Sequence, residues 1–156
     1  MGLVIIVVVV LMLASILVLA RRQVGRKAIP GSGNIVSIHK IVEGFCRVNV
    51  GNAFHVELVR SSQHSVKLYA DDNIIDMVEI EKEGDTLRIG LETGDYQEVT
   101  LKAQINLPDL RGVMLNGASQ GSLQGFSSAN DLSISLAGAS SINGEVDCRL
   151  IDLRLN

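Results

Sequence analysis

The chain has 156 residues, with 17 Asp+Glu, 14 Lys+Arg, 15 Gly, 2 Pro, 2 Cys and no Trp, which is one domain's worth of polypeptide. Charge is unevenly spread: residues 1–27 hold Arg21, Arg22, Arg26 and Lys27 and no acid, whereas residues 28–156 hold every acid. An acidic body without a basic stripe argues against nucleic-acid binding, and Phe45, Phe54, Tyr69, Tyr96 and Phe126 are too few aromatics for base stacking or a sugar platform.

Leu3 to Ala20 reads LVIIVVVVLMLASILVLA, with Ser15 as its one polar residue. Eighteen helical residues span about 27 Å, close to the hydrocarbon core of a bilayer. Residues 1–20 are therefore expected to form a transmembrane helix, or a signal segment cut after Ala20, where Val18 and Ala20 hold the small-residue places. The first reading implies a membrane partner through residues 3–20 and a single-pass membrane protein. The basic flank is C-terminal, which by the positive-inside rule points to a domain facing the cytoplasm. Residues 21–33 (RRQVGRKAIPGSG) read as a basic linker.

From residue 34 onward the dominant period is two. Val48 and Val50 flank Asn49; Val56 and Leu58 flank Glu57; Leu87, Ile89 and Leu91 alternate with Arg88 and Gly90; Leu101, Ala103, Ile105 and Leu107 alternate with Lys102, Gln104 and Asn106. Each is a half-buried strand. Turn clusters lie between them, among them Gly51-Asn52, Asp71-Asp72-Asn73 and Gly84-Asp85. Ile74–Glu83 also reads as strand.

The last third repeats. Leu115-Asn116-Gly117-Ala118-Ser119 recurs as Leu136-Ala137-Gly138-Ala139-Ser140, and a third copy starts at Leu155-Asn156. A period near twenty in strand-and-turn sequence signals stacked coils. The expected fold class is all-β, a right-handed β-helix or β-solenoid over residues 34–156, with a β-sandwich as the competing fold. Val113, Leu115, Leu132, Ile134, Leu136, Leu153 and Leu155 would stack inside. Gly117, Ala118, Ser119, Gly138, Ala139 and Ser140 would form the repeat corners, with the serines making a hydrogen-bonded ladder. The outward positions Met114, Ser133, Ser135, Asp152 and Arg154 form the candidate contact face. An uncovered end of such a stack leaves backbone groups unpaired and invites self-association.

Motifs for chemistry fare poorly. Gly117-Ala118-Ser119-Gln120-Gly121 matches a nucleophile elbow by letter, but no helix follows and His39, His55 and His64 all precede the serine. The histidine spacings fit no zinc pattern. Asp71-Asp72-Asn73 could offer oxygen ligands to calcium, yet no calcium-loop spacing is present, so a solvated turn is favoured. No catalytic, metal or cofactor residue is assigned. Cys46 is expected to face out and Cys148 to be a small core residue.

Several segments in order resemble the putative auto-transporter adhesin head GIN domain family: Gly31-Ser32-Gly33-Asn34-Ile35-Val36, Gly44-Phe45, Ala70-Asp71-Asp72-Asn73-Ile74-Ile75, Gly84-Asp85-Thr86-Leu87-Arg88-Ile89, Leu107-Pro108-Asp109-Leu110 and the two Gly-Ala-Ser repeats. The resemblance implies a pectin-lyase-like β-helix without catalytic residues. It also implies a prokaryotic cell-envelope location, with the folded domain outside the cytoplasm, and an adhesion or protein-interaction role. Family members carry further Gly-Ala-Ser coils, so the chain is expected to be truncated or otherwise capped at Asn156. The alternatives are a polysaccharide-active enzyme on the same scaffold and a cytoplasm-facing membrane scaffold.

Overall fold

The computed structural model describes residues 27–127 and 130–156. Among them are fourteen strands: β1 (Ile29–Pro30), β2 (Ile35–Lys40), β3 (Arg47–Val50), β4 (His55–Arg60), β5 (Ser65–Asp71), β6 (Val78–Glu83), β7 (Thr86–Leu91), β8 (Tyr96–Gln97), β9 (Leu101–Leu107), β10 (Gly112–Leu115), β11 (Gln120–Ser127), β12 (Leu132–Leu136), β13 (Ser141–Asp147) and β14 (Ile151–Leu155). Strands β1 and β8 form a two-stranded parallel ribbon. The others make two six-stranded sheets, ordered β6-β7-β3-β10-β12-β14 (sheet I) and β2-β5-β9-β4-β11-β13 (sheet II).

The right-handed, pectin-lyase-like β-helix is thus corrected to a β-sandwich-like fold of two facing mixed sheets. The physical reason lies in the first half of the chain. Gly84, at φ +58°, reverses the chain between β6 and β7, which pair antiparallel. Strand β5 also runs antiparallel to both of its neighbours, β2 and β9. The tight reversal at Gly84 belongs to antiparallel pairing, and neither it nor an antiparallel β5 fits a spiral of parallel coils. Within this frame the C-terminal repeats lie in parallel register, with Leu115 beside Leu136 and Leu136 beside Leu155. Each repeat corner carries the chain across to the other layer.

The core forms where the apolar faces of both sheets meet. Sheet I contributes two inward rows, Leu87–Val48–Val113–Ile134–Leu153 and Ile89–Val50–Leu115–Leu136–Leu155. Sheet II contributes Val66, Ile105, Leu58 and Leu123 in one row and Leu68, Ala103 and Val56 in another. Phe54 is fully buried beside them. The two sheet I rows do not stay buried to their ends. Val113, Leu115, Leu132 and Ile134 are core residues and Leu136 is half-buried, but Leu153 is 55% exposed and Leu155 70%, because β14 is the edge strand of sheet I among the described residues. Both were expected inside.

Smaller differences follow from local geometry. Ile74–Glu83 is strand only from Val78; Ile75–Met77 form a 3-10 turn that buries Ile75. Cys148 is half-buried rather than enclosed, since it too lies near the edge strand β14, and both cysteines are free thiols. The transmembrane helix or signal segment expected over residues 1–20 lies outside the described residues. Among the described residues no helix is long and apolar enough to cross a membrane, so the single-pass membrane placement finds no support.

Candidate contact face and corners

Strand register converts alternation into a surface. The outward positions of sheet I line up as Thr86–Arg47–Gly112–Ser133–Asp152 and Arg88–Asn49–Met114–Ser135–Arg154. All five candidate contact residues therefore share one face, in two adjacent rows. Met114 stands 42% exposed at its centre, Ser133 and Ser135 are half-buried, and Asp152 and Arg154 lie exposed at its edge. A shallow depression of about 230 Å³ runs past Gly112, Met114, Ser133 and Ser135. Gly112 makes its floor: a Cβ there would stand 3.1 Å from the Arg47 guanidinium, which lies across it.

The charges of this face are neutralised by short-range pairs. Arg47 Nε donates to Asp85 Oδ2 at 3.2 Å, Arg88 Nη1 to Glu83 Oε2 at 2.8 Å, and Arg154 Nη2 to Asp152 Oδ2 at 2.8 Å. Partial burial raises the Asp85 carboxyl, but hydrogen bonds from Cys46, Thr86 and Arg47 outweigh it and hold the group below the usual range. Burial, then the hydrogen bond it donates to Asp85, raises the pKa of the Cys46 thiol. Sequence reading missed Arg47, Asn49, Thr86, Arg88 and Gly112 as members of the face. Their signal is faint: Val48-Asn49-Val50-Gly51-Asn52 matches Val113-Met114-Leu115-Asn116-Gly117 in apolar pattern, with the turn residues in the opposite order.

The corners stack as a second feature. Asn52, Gly117 and Gly138 all have positive φ, at 64°, 76° and 74°. Ala118 N donates to Asn52 O and Ala139 N to Gly117 O, each at 2.7 Å. A Cβ on Gly117 would sit 2.3 Å from Asn52 O, and one on Gly138 2.6 Å from Gly117 O. The serines do not form a ladder with one another. Ser119 Oγ donates within its own coil to Asn116 O at 3.0 Å and lies 3.2 Å from Gly51 O, and Ser140 Oγ donates to Ala137 O at 2.9 Å. Ser119 is fully buried and spends its hydroxyl on carbonyl oxygens.

The Asp71-Asp72-Asn73 turn ties down the chain before β2. Buried Asp71 accepts the Gly33 N–H through Oδ1 and the Thr100 N–H through Oδ2, both at 2.7 Å. Asp72 accepts from the Ser32 hydroxyl and, at 2.8 Å, from Asn34 Nδ2; these bonds lower its pKa. Asn73 accepts the Ser32 N–H and donates to Pro30 O at 2.9 Å. The oxygens that could have faced a calcium ion are occupied by the Gly31–Asn34 loop. Among the described residues no three His, Cys, Asp or Glu side chains gather as a metal site. His64 is structural, its ring packed edge-on against Phe45 at 4.7 Å with Nε2 2.8 Å from Phe45 O. His55 is exposed, and His39 lies on the edge strand β2.

Comparison with known proteins fits this architecture. The chain is similar in fold to a putative adhesin from Parabacteroides merdae ATCC 43184, at TM-score 0.73 and 15% identity, over 82% of this chain and 55% of that one. It is also similar to a putative lipid binding protein from Parabacteroides distasonis ATCC 8503, at TM-score 0.61 and 15% identity, over 83% of this chain and 63% of that one. A putative adhesin from Bacteroides fragilis NCTC 9343 matches at TM-score 0.63 and 16% identity, over 82% of this chain and 61% of that one. The chain thus spans little more than half the length of these structures. No curated protein matches it. Residues 44–156 match the family described as putative auto-transporter adhesin, head GIN domain, and the chain belongs to that family.

Proposed function

We propose that the domain is a non-enzymatic binding module that engages a protein or cell-surface partner through the outward face of sheet I. One observation carries the reading: an exposed Met114 ringed by small side chains (Gly112, Ser133, Ser135) on a shallow, charge-balanced surface. Such a surface can be covered by a partner without leaving an unpaired charge behind, and an exposed Met adapts to the shape it meets. Membership of a family of putative adhesins supports the same reading. Against a reaction on this scaffold stands the use of Ser119, Asp71 and Asp72 in backbone and loop hydrogen bonds.

The test compares binding of the 156-residue chain to immobilised proteins and polysaccharides, pectin included, with that of two double variants. Met114→Glu/Ser135→Arg on sheet I is expected to lose at least tenfold in affinity for whatever the parent captures. Lys67→Glu/Gln104→Arg, on the outward side of sheet II, is expected to retain it. Equal loss in both, or release of reducing ends from a polysaccharide, would overturn the proposal.

A further inference from the structure

The charge balance of the sheet I face ends toward β6. Arg47, Arg88 and Arg154 each hold a carboxylate, but Glu79 and Glu81 form no ion pair and accept no side-chain hydrogen bond among the described residues. Register places both on the outward side of β6, with Glu81 opposite Arg88 and Glu79 opposite Gly90. The two carboxylates line a cavity of about 440 Å³ whose far wall is Asn49 and Asn116. That wall is fixed, because Asn116 Nδ2 donates to Asn49 Oδ1 at 3.0 Å. Gly51 and Gly90 line the cavity between them, and a Cβ on Gly51 would meet nothing within 4 Å. Asn49 also lines the depression beside Met114, so the two hollows adjoin across it.

We infer that the partner of this face is a protein segment that holds a basic side chain about 10 Å from an apolar one, a distance of two strand spacings. The inference rests on sheet I being the contact face and adds the chemistry of what binds there. The apolar group seats against Met114, and the Lys or Arg side chain lies over Gly51 and Gly90 with its charge between Glu79 and Glu81. Charge complementarity selects the basic group. A partner that covers only the Met114 depression meets charges already paired. One that also covers the second hollow takes two carboxylates out of water, which is unfavourable unless a cation replaces the lost hydration. A neutral glycan brings no cation, and an acidic segment adds like charge. The space above the two glycines admits the apolar stem of Lys or Arg, which packs while its head stays with the carboxylates. Spacing sets the rest. Met114 is on β10 and Gly90 on β7, with only β3 between them. In a polyproline II segment residues three apart lie on one side, about 9.3 Å from each other, which matches.

The test uses the full 156-residue chain and fluorescence polarisation of two labelled peptides, Pro-Leu-Pro-Pro-Lys-Pro and its reverse. The parent is expected to bind at least one of them tenfold more tightly than the versions with Glu for Lys or Ser for Leu. Raising salt from about 50 to about 500 mM is expected to weaken that binding severalfold. Glu79→Gln/Glu81→Gln is expected to lose at least fivefold in affinity and most of the salt dependence, and Glu79→Lys/Glu81→Lys to prefer the Glu peptides. Both positions are exposed, so circular dichroism should show unchanged folding. Met114→Glu/Ser135→Arg is expected to lose peptide binding and capture alike. Suppose that variant loses its captured partner, while both glutamate variants keep it and Lys and Glu peptides bind equally. The inference then fails and sheet I remains the contact face. If Met114→Glu/Ser135→Arg keeps the captured partner, both readings fail. Tighter binding of a neutral polysaccharide than of either Lys peptide would also overturn the inference.

Discussion

Gly117 shows how much one backbone angle decides. Its φ of 76° belongs to the left-handed region, and the carbonyl of Asn52 occupies the space a side chain would need. Asn52 reaches a similar angle one layer away, because asparagine tolerates this conformation better than other residues with a side chain. Gly117→Ala is therefore expected to cost at least about 1–3 kcal/mol, combining backbone strain with a steric overlap that only a shift of the stacked corner relieves. Chemical denaturation measures it. Gly117 and Gly138 were legible from the repeat alone. Their equivalence to Asn52 was not, because Asn and Gly exchange order between Gly51-Asn52 and Asn116-Gly117.

Strand β10 carries the two duties of an element in adjacent residues. Leu115 is fully buried between Val50 and Leu136, whereas Met114 beside it faces out. Leu115→Ala is expected to destabilise the domain by about 2–5 kcal/mol, the usual cost of opening a cavity in a packed core. Met114→Ala should stay within about 0.5 kcal/mol, as exposed substitutions do. Equilibrium unfolding of the two variants checks the assignment of faces. Alternation in the sequence shows which residues share a side of a strand, so these faces were legible before the structure. Which strands become neighbours was not. Strand β9 sits between β4 and β5, and β3 pairs with β7 and β10 rather than with β4, the strand that follows it. Such pairings are set by complementarity across the whole sandwich, and no local pattern encodes them. For the same reason the repeats suggested a winding, while the reversals at Gly84 and around β5 produced two facing layers.

Acid provides a probe of the molecule as a whole, because three surface carboxylates titrate low in the native state. Asp72 is held down by Ser32 and Asn34, and Asp131 by a bidentate Arg149 pair at 2.6 and 2.8 Å. Asp85 is raised by partial burial but lowered further by its hydrogen-bonding partners. A carboxyl whose native pKa lies below its unfolded value adds stability above the ordinary carboxylate range. That contribution disappears as pH falls through the native value. The melting temperature is therefore expected to drop steadily below the ordinary aspartate range, and Asp72→Asn should make the drop shallower while lowering stability at neutral pH. A thermal-melt series across acidic pH reads both effects.

The ties around Asp71-Asp72-Asn73 also determine how the domain would carry mechanical load. Tension entering the chain upstream of Ile29 meets first the short ribbon with Tyr96–Gln97, then the carboxylate and amide bonds that hold Pro30 to Asn34, then the six rungs joining Ile35–Lys40 to Val66–Asp71. Each of these must give way before force reaches a core residue of sheet I. The first resistance to pulling is thus assembled from hydrogen bonds at the rim, leaving the apolar interior as a reserve that engages only after β2 has begun to peel.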